Sequence, residues 1–151
     1  MTIGVRTNTI SLVKSQKAMV EPHVEYRISP PVTNQDLNDL FANAWLNHNT
    51  WDFTPTLKRS LGYVCAYQRN RLVGFVNVAW DGGQHAFLLD TTVHQDMQRQ
   101  GIGLELVRRA ENLAREAGLE WMHVDYEAYL SEFYEKCGFK NTTAGLIKLK
   151  D

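Results

Sequence analysis

The order of apolar and polar residues along the chain predicts strands and helices in succession. Alternating or continuous apolar runs, which are typical of strands, occupy residues 23–29, 62–67, 72–80 and 85–93. Turn-forming residues at 69–70 and 81–83 join the last three runs into consecutive hairpins. In the fourth run, strict alternation places four side chains on one face of the sheet: Ala86, Leu88, Asp90 and Thr92.

Apolar residues at helical spacing predict helices between and after these strands. Thr33 and Asp36 form a capping-box pattern before the first helix. Its expected buried stripe is Leu37, Leu40, Phe41, Ala44 and Trp45. A short helical piece is expected over 56–61, a long helix from 102 to a C-cap at Gly118, and a last helix from 130 to Gly138.

Two further strands are expected in the second half of the chain. Residues 119–126 follow the long helix and predict a strand parallel to 85–93, because a strand–helix–strand crossover requires parallel partners. Residues 144–150 are expected to close the chain as a last strand. The pattern therefore predicts a mixed α/β (α+β) fold in one domain over 21–151, with 1–20 as an N-terminal arm or an extra strand.

Composition excludes several classes of protein. The 151 residues carry a formal net charge of −1, so no basic surface for nucleic acid is expected. No apolar run approaches the length of a membrane span. Cys65 and Cys137 are expected to be reduced core residues of a cytoplasmic protein. The histidines and acids show no metal-ligand spacing, so no metal is expected.

The segment from Thr91 to Gly103 carries the strongest chemical signal. A buried strand runs into a helix through a loop with two glycines, Gly101 and Gly103, and the cationic Arg99. The first N–H groups of a helix have no intrahelical partner, and they favour an anion. The loop lacks the Lys-Ser/Thr pair of a Walker loop, and Leu106 replaces the third glycine of a dinucleotide fingerprint. A different phosphate-binding loop is therefore predicted.

Two motifs together resemble the GCN5-related N-acetyltransferase (GNAT) superfamily. Residues 98–103 read Gln-Arg-Gln-Gly-Ile-Gly and resemble its Gln/Arg-x-x-Gly-x-Gly/Ala loop. About thirty residues on, 133–139 resemble its Phe-Tyr-x-x-x-Gly-Phe segment. Strand segments 80–83, 124–127 and 144–147 are similar to an uncharacterised branch of the family. The family often has Asn near the start of the last helix, where this chain has Glu127.

This resemblance implies a fold, a cofactor and residue roles. The fold is a central mixed twisted sheet of about six to seven strands, splayed between the fourth and fifth and flanked by helices. Acetyl-CoA would be the cosubstrate. Tyr134 would help the thiolate leave, and Val93 would polarise the thioester through its N–H group. The implied cofactor-binding residues are Thr91, Thr92, Val93, Gln98, Arg99, Gln100, Gly101, Ile102, Gly103 and Tyr134.

Several other residues have two readings from the sequence alone. Asp90, a carboxylate in an apolar strand, is either a base or substrate anchor, or a structural group held by backbone donors or Thr92. His123 and Asp125 either bind substrate or form a pair at the surface. Trp51 and Phe53 lie on a polar, aromatic loop that either folds onto the core or lines the acceptor pocket.

The sequence also predicts how the side chains of the last helix are placed and which reaction the protein catalyses. Phe133 is expected in the core, and Tyr134 at the margin of the buried stripe, with its hydroxyl toward the splay. The expected activity is transfer of an acetyl group from acetyl-CoA to a primary amine of a small molecule or protein, by direct attack in a ternary complex. The alternative is a non-catalytic acyl-CoA-binding or sensing module. A homodimer is left open.

Overall fold

The computed structural model describes residues 23–150 and builds them around one five-stranded sheet. The strands lie in chain order: β1 Val24–Ile28, β2 Gly62–Gln68, β3 Arg71–Trp80, β4 His85–Val93 and β5 Trp121–Val124. β1 to β4 are antiparallel, and β5 is parallel to β4. The helices are α1 Asn34–Ala44, α2 Thr54–Arg59, α3 Ile102–Glu116 and α4 Ser131–Lys136, with single 3₁₀ turns at Gln95–Met97 and Ala128–Leu130. The expected mixed α+β fold is confirmed.

The first helix covers one face of the sheet. Its capping box forms as expected: the backbone N–H of Asp36 donates to the Thr33 hydroxyl, and Asp36 accepts from the Thr33 N–H. The buried cluster on this face contains Leu37, Leu40, Phe41, Phe53, Cys65, Leu72 and Phe75. The expectation that Trp45 completes the buried stripe is wrong, because the helix ends at Ala44 and 47% of Trp45 remains exposed.

The longest helix covers the opposite face. Ile102, Leu106, Val107, Ala110 and Ala114 of α3 pack against buried side chains of β2, β3 and β4. Gly74 of β3 lies under this helix, and a Cβ there would be 3.0 Å from a methyl group of Leu106. The sheet therefore lies between two apolar clusters, and α3 is held firmly enough for its N-terminus to serve as a fixed part of a site.

A β-bulge in β4 changes which face its side chains occupy. Leu89 pairs with Asn77, and Thr92 pairs with Phe75. Between these two pairs β4 advances by three residues and β3 by only two, so β4 contains one extra residue. Asp90 takes a left-handed conformation with φ 57° at this point. Thr92 therefore shares a face with Phe75, on the α1 side, whereas Leu88 faces α3. The expectation of one continuous face from Ala86 to Thr92 is wrong.

The two parallel strands stay paired for only part of their length. The β4–β5 pairing runs from His85 with Trp121 to Leu88 with Val124, where β5 ends. β4 continues for five more residues to Val93. Its side toward β5 is therefore left without a neighbouring strand over 89–93, which is the splay expected between the fourth and fifth strands.

The C-terminal part differs from the expectation. Residues 141–150 are all exposed, and within the described part of the chain they form no strand. The expected last strand over 144–150 is absent, so the described sheet has five strands instead of six to seven. The expected arm or extra strand over 1–20 lies outside the described residues.

Candidate active site

The loop between β4 and α3 presents a row of free backbone donors. Arg99 and Gly101 both have left-handed backbones, with φ 60° and 81°, and the residues between and around them do not. Such alternation turns successive N–H groups toward one side. Among residues 23–150, no acceptor contacts the N–H groups from Arg99 to Leu104. These donors, together with the positive end of α3, fit a phosphate or pyrophosphate group.

Side-chain amides tie this loop to the strand before it. The Gln98 Nε2 donates to the Val93 carbonyl at 3.1 Å, and the Gln100 Nε2 donates to the Asp96 carbonyl at 3.3 Å. The Asn43 side chain of α1 accepts from the Gln95 N–H at 2.8 Å. The loop is thus anchored to β4 and α1, and two of its expected binding residues, Gln98 and Gln100, also have structural contacts.

The two glycines of the loop serve different purposes. A Cβ at Gly101 would meet nothing within 4 Å, so glycine is favoured there by the positive φ alone. A Cβ at Gly103 would come within 3.3 Å of the Phe133 ring. Gly103 therefore allows α4 to pack closely on α3, and a larger residue there would disturb that packing as well as any bound phosphate.

Tyr134 of α4 lies against the splayed part of β4. Its ring stacks on Tyr126 with centroids 4.7 Å apart, and meets Phe133 and Phe139 edge-on. Burial raises the pKa of Tyr134, and a hydrogen bond with the Thr91 side chain partly opposes this. Tyr134 is thus a protonated phenol beside the strand that the sequence assigned to the cofactor.

The expected burial order in α4 is reversed. Tyr134 is only 6% exposed, and Phe133 is the partly buried residue of the pair. The reason is that Tyr126 and Phe139 enclose the Tyr134 ring, whereas Phe133 lies over Gly103. Contacts with neighbouring elements set the rotation of the six-residue helix α4 about its axis. The spacing of apolar residues within the helix did not predict this rotation.

Asp90 occupies the bulge as an unpaired carboxylate. Burial raises its pKa, and among the described residues no donor contacts its side chain. The Thr92 hydroxyl donates at 2.9 Å to the Asp90 carbonyl, not to the carboxylate. The structural reading of Asp90, in which backbone donors or Thr92 hold its side chain, therefore has no contact to support it within 23–150.

Trp45 is a supporting residue that the sequence did not identify. Its indole Nε1 donates to the Thr92 hydroxyl at 3.1 Å, and that hydroxyl in turn donates to the Asp90 carbonyl. Trp45 also stacks on Phe41. These two hydrogen bonds hold the β-bulge at Asp90 against the end of α1. Because Trp45 follows the helical stripe in sequence, its spacing indicated a core residue and gave no sign of this role.

The two aromatic residues proposed for the acceptor are not brought together with Asp90. Phe53 is buried in the α1-side cluster, with its ring 5.1 Å from Phe41. Trp51 is 59% exposed, and the Asn38 side chain holds both its N–H and its carbonyl. Trp51 borders a shallow cleft between α1 and the following loop, and neither Asp90 nor Tyr134 lines that cleft.

His123 and Asp125 lie at the exposed side of β5. The His123 Nε2 is 2.8 Å from the His85 Nδ1, and its ring stacks on Phe87. One imidazole of the pair must donate and the other accept. Asp125 follows the end of β5 and is exposed, as is Glu127.

The described residues hold neither a metal-ligand cluster nor an activated thiol. Residues 23–150 contain no group of three or more His, Cys, Asp or Glu that could bind a metal ion. Burial raises the pKa of Cys65 to about 12 and that of Cys137 to about 11, so both stay protonated at neutral pH. In the same part of the chain, no helix is long and apolar enough to cross a bilayer.

Comparison with known sequences identifies relatives that are all named as N-acetyltransferases. An uncharacterised N-acetyltransferase of Porphyra purpurea is 31% identical over 99 residues, which cover 63% of this chain and 57% of the relative. A probable glucosamine 6-phosphate N-acetyltransferase of Oryza sativa subsp. japonica is 36% identical over 58 residues, or 38% of this chain and 35% of the relative. The matches thus span about half or less of these relatives' own lengths.

Solved structures share the fold. A GNAT-family acetyltransferase of Streptococcus pneumoniae superposes with a TM-score of 0.71 at 22% identity, covering 85% of this chain and all of the other. An aminoglycoside N-acetyltransferase in complex with CoA superposes with a TM-score of 0.70 at 15% identity, covering 87% and 97%. The model of the acetyltransferase (GNAT) family matches residues 31–139. This match covers most of the chain and includes both motifs, and the chain therefore belongs to the GNAT acetyltransferase family.

Proposed function

We propose that the chain is an N-acetyltransferase that moves an acetyl group from acetyl-CoA to a primary amine, by direct attack in a ternary complex. The observation that carries this proposal is the row of unpartnered N–H groups at 99–104, next to a strand that has lost its neighbour and a buried tyrosine. Acetyl-CoA has a pyrophosphate, an extended amide arm and a thioester, and each of these features matches one of the three groups.

The cofactor-binding roles follow from that match. The N–H groups of Arg99 to Gly103 are assigned to the pyrophosphate, with Arg99 as the nearby cation. The Gln98 N–H already donates to the Gln95 carbonyl, so Gln98 is proposed to act through its neighbours in the loop. The backbone from Thr91 to Val93 is assigned to the pantetheine arm, which would take the place of a strand beside β4. β4 has this edge free because its pairing with β5 stops at Leu88.

Three residues are assigned to the reaction, in which acetyl-CoA supplies the activated acyl group. An amine is largely protonated near neutral pH, so Asp90 is proposed to accept its proton, directly or through water, or to anchor it. The Val93 N–H is proposed to stabilise charge on the thioester oxygen. The Tyr134 hydroxyl is proposed to donate to the sulfur as it leaves.

The acceptor is proposed to be a small amine-bearing molecule. The rice relative and the aminoglycoside enzyme are both named for amino-sugar acceptors, so amino sugars are the first compounds to test. His123, Asp125 and Trp51 remain proposed acceptor contacts, whereas Phe53 would act only by supporting the loop. Nucleic acid is not a proposed partner, given the net charge of −1.

The proposed setting is a homodimer in the cytoplasm. Cys65 and Cys137 are free thiols, which suits a reducing compartment.

The test is release of free CoA thiol from acetyl-CoA in the presence of panels of amines. We expect turnover with at least one amine, and acetylation of its nitrogen by mass spectrometry. The competing function is a non-catalytic acyl-CoA-binding module. Tight binding of acetyl-CoA without transfer to any amine tested would favour that module, and failure to bind acetyl-CoA would overturn both.

A further inference from the structure

The face of the sheet that α1 covers continues beyond that helix along β3 and β4. Phe75 of β3 belongs to the buried cluster under α1, and Asn77 and Ala79 share its face because side chains alternate along a strand. Leu89 pairs with Asn77 and Phe87 pairs with Ala79, which places both apolar residues of β4 on this face. Within residues 23–150, neither of them joins the buried cluster, so this stretch of β4 is open to solvent.

Burial on this part of the face is the reverse of what water favours. The polar residues Asn77 and Thr92 are 1% and 2% exposed, whereas Leu89 and Phe87 are 42% and 40% exposed. Trp45, whose indole donates to the Thr92 hydroxyl, is 47% exposed. Apolar side chains that stay in water next to buried polar ones indicate a surface that a ligand covers.

The exposed residues of this face, hereafter the aromatic strip, are Trp45, Leu89, Phe87 and His123. Trp45 contacts Thr92 at the α1 end of the strip. At the β5 end, the His123 ring stacks on Phe87 with centroids 5.0 Å apart. Aromatic rings offer a large apolar area and favour contact with another ring. The strip therefore suits a flat apolar group.

The carboxylate of Asp90 lies next to this strip in the chain. Asp90 follows Leu89 directly, is half-buried, and receives no donor on its side chain among the described residues. A carboxylate of this kind attracts a protonated amine. A body rich in hydroxyl groups would lose water over Leu89 and Phe87 without gaining partners, which is unfavourable. Charge and surface together thus favour a ligand with a cationic nitrogen at one end and an apolar body at the other.

We infer that the acceptor is a primary amine with an aromatic body, an arylalkylamine, and that Leu89 and Phe87 determine this specificity. The inference rests on the proposed acetyl transfer and names its substrate class. In the transfer, the amine nitrogen forms a bond with the acetyl carbon, the C–S bond breaks, and the amine gives up one proton as CoA leaves as the thiol. Amino sugars, for which two of the similar proteins are named, are the contrasting class.

Matched amines test the substrate class. Phenethylamine and ethylamine carry the same amine on the same carbon chain, and only the first has a ring, whereas glucosamine carries hydroxyl groups. We expect kcat/KM for phenethylamine to exceed that for ethylamine about tenfold or more, because the ring buries apolar surface on the strip. It should exceed that for glucosamine as well. Equal values with and without the ring, or a preference for glucosamine, would overturn the inference and leave acetyl transfer intact.

A pair of variants tests the aromatic strip itself. Leu89→Asn removes apolar surface next to Asp90, and it should raise KM for phenethylamine about tenfold. KM for ethylamine and kcat with either amine should stay unchanged. Ile28→Asn is the matched control, because Ile28 is 47% exposed in a strand at the opposite end of the described sheet, and it should alter none of these values. An equal loss with both amines would show that Leu89 only supports the fold, against the inference.

Calorimetry and light scattering separate this inference from the proposed function. Titration of phenethylamine into the CoA-saturated protein requires no transfer. Binding that Leu89→Asn weakens about tenfold would support the aromatic strip even if no amine were acetylated. Absence of binding, or equal binding by wild type and variant, would overturn the inference. A dimer that Leu89→Asn dissociates, with no effect on phenethylamine, would assign the strip to a second copy of the chain and overturn it too.

Discussion

At the scale of single residues, the Tyr134 hydroxyl separates a catalytic site from a binding site. Tyr134→Phe keeps the ring that stacks on Tyr126 and removes only the hydroxyl beside Thr91. If the hydroxyl donates to the leaving sulfur, kcat should fall by about 10²–10⁴-fold. The Kd for acetyl-CoA should change little, because the packing is retained.

Tyr126→Phe is the control for this prediction. It removes the hydroxyl of the other ring in the stack, which contacts Asn141 instead of Thr91, and kcat should stay close to wild type. Steady-state kinetics and calorimetry on both variants make the comparison. A Tyr134→Phe enzyme with the wild-type rate would remove the acid role from Tyr134.

The half-buried carboxylate of Asp90 gives a prediction about stability and pH. Burial raises its pKa above the ordinary value of 3.8, so its contribution to stability is complete below that value and is lost as pH rises through the folded-state pKa. Asp90→Asn removes the half-buried charge and tolerates the left-handed backbone. The variant should therefore melt higher than wild type at neutral pH, and the difference should vanish near pH 3, while turnover falls if Asp90 is the base.

Asp81→Asn should behave in the opposite way. Hydrogen bonds from the Gly83 and His85 N–H groups lower the pKa of Asp81, so its contribution is present above the ordinary value and is lost as pH falls through the folded-state pKa. This variant should melt lower than wild type at neutral pH. Thermal melts across pH 3–8 make both comparisons, and melting differences of the same sign for the two variants would contradict the assignments.

At the scale of elements, short sequence patterns predicted the features that depend only on residues close together in the chain. The capping box, the hairpin turns and the glycine loop depend on neighbours in sequence, and they form where they were expected. The bulge at Asp90 could not be predicted, because it depends on how β4 pairs with β3 and on the Trp45 indole at the end of α1. The burial of Tyr134 over Phe133 depends on rings that lie outside α4, those of Tyr126 and Phe139. Alternation and helical spacing describe isolated elements, whereas these contacts join one element to another.

The anion loop at the start of α3 carries a prediction with an internal control. Arg99 and Arg69 are both arginines with left-handed backbones, with φ 60° and 49°. Such a backbone costs a residue with a Cβ roughly 1–2 kcal/mol, so glycine at either place should be tolerated. Arg99→Gly should weaken acetyl-CoA binding about tenfold, because a charged hydrogen bond contributes on the order of 1.5 kcal/mol or more.

Arg69→Gly should leave that affinity unchanged, since Arg69 lies in the β2–β3 turn. Calorimetric titration of the two variants with acetyl-CoA, beside their melting temperatures, isolates the charge from the backbone. Equal affinities in the two folded variants would place the pyrophosphate away from Arg99.

At the scale of the whole molecule, the order of the elements was predictable because short connections leave few choices. The hairpins and the parallel crossover through α3 both formed as the sequence predicted. The last strand did not form, although 144–150 has a strand-like pattern. The pattern shows that a segment is able to form a strand, but not whether it pairs with the free edge of β5.

Acetyl-CoA should stabilise the folded molecule as a unit. A ligand that binds only the folded state at 100 times its Kd adds about 2.7 kcal/mol to the free energy of unfolding. For a domain of this size, that corresponds to a rise in melting temperature of roughly 5–10 °C. Acetyl-pantetheine has the same arm and thioester but lacks the pyrophosphate, so at equal concentration it should raise the melting temperature much less.

The rise in melting temperature with acetyl-CoA should also distinguish the Tyr134→Phe variant from the Arg99→Gly variant. Tyr134→Phe should keep the full rise, since its hydroxyl is assigned to the reaction, and Arg99→Gly should need about tenfold more acetyl-CoA to reach it. Differential scanning fluorimetry over a range of ligand concentrations provides the comparison. If acetyl-pantetheine stabilised the chain as well as acetyl-CoA does, the free N–H groups at 99–104 would contribute nothing to binding. The pyrophosphate assignment would then fail, even in a working enzyme.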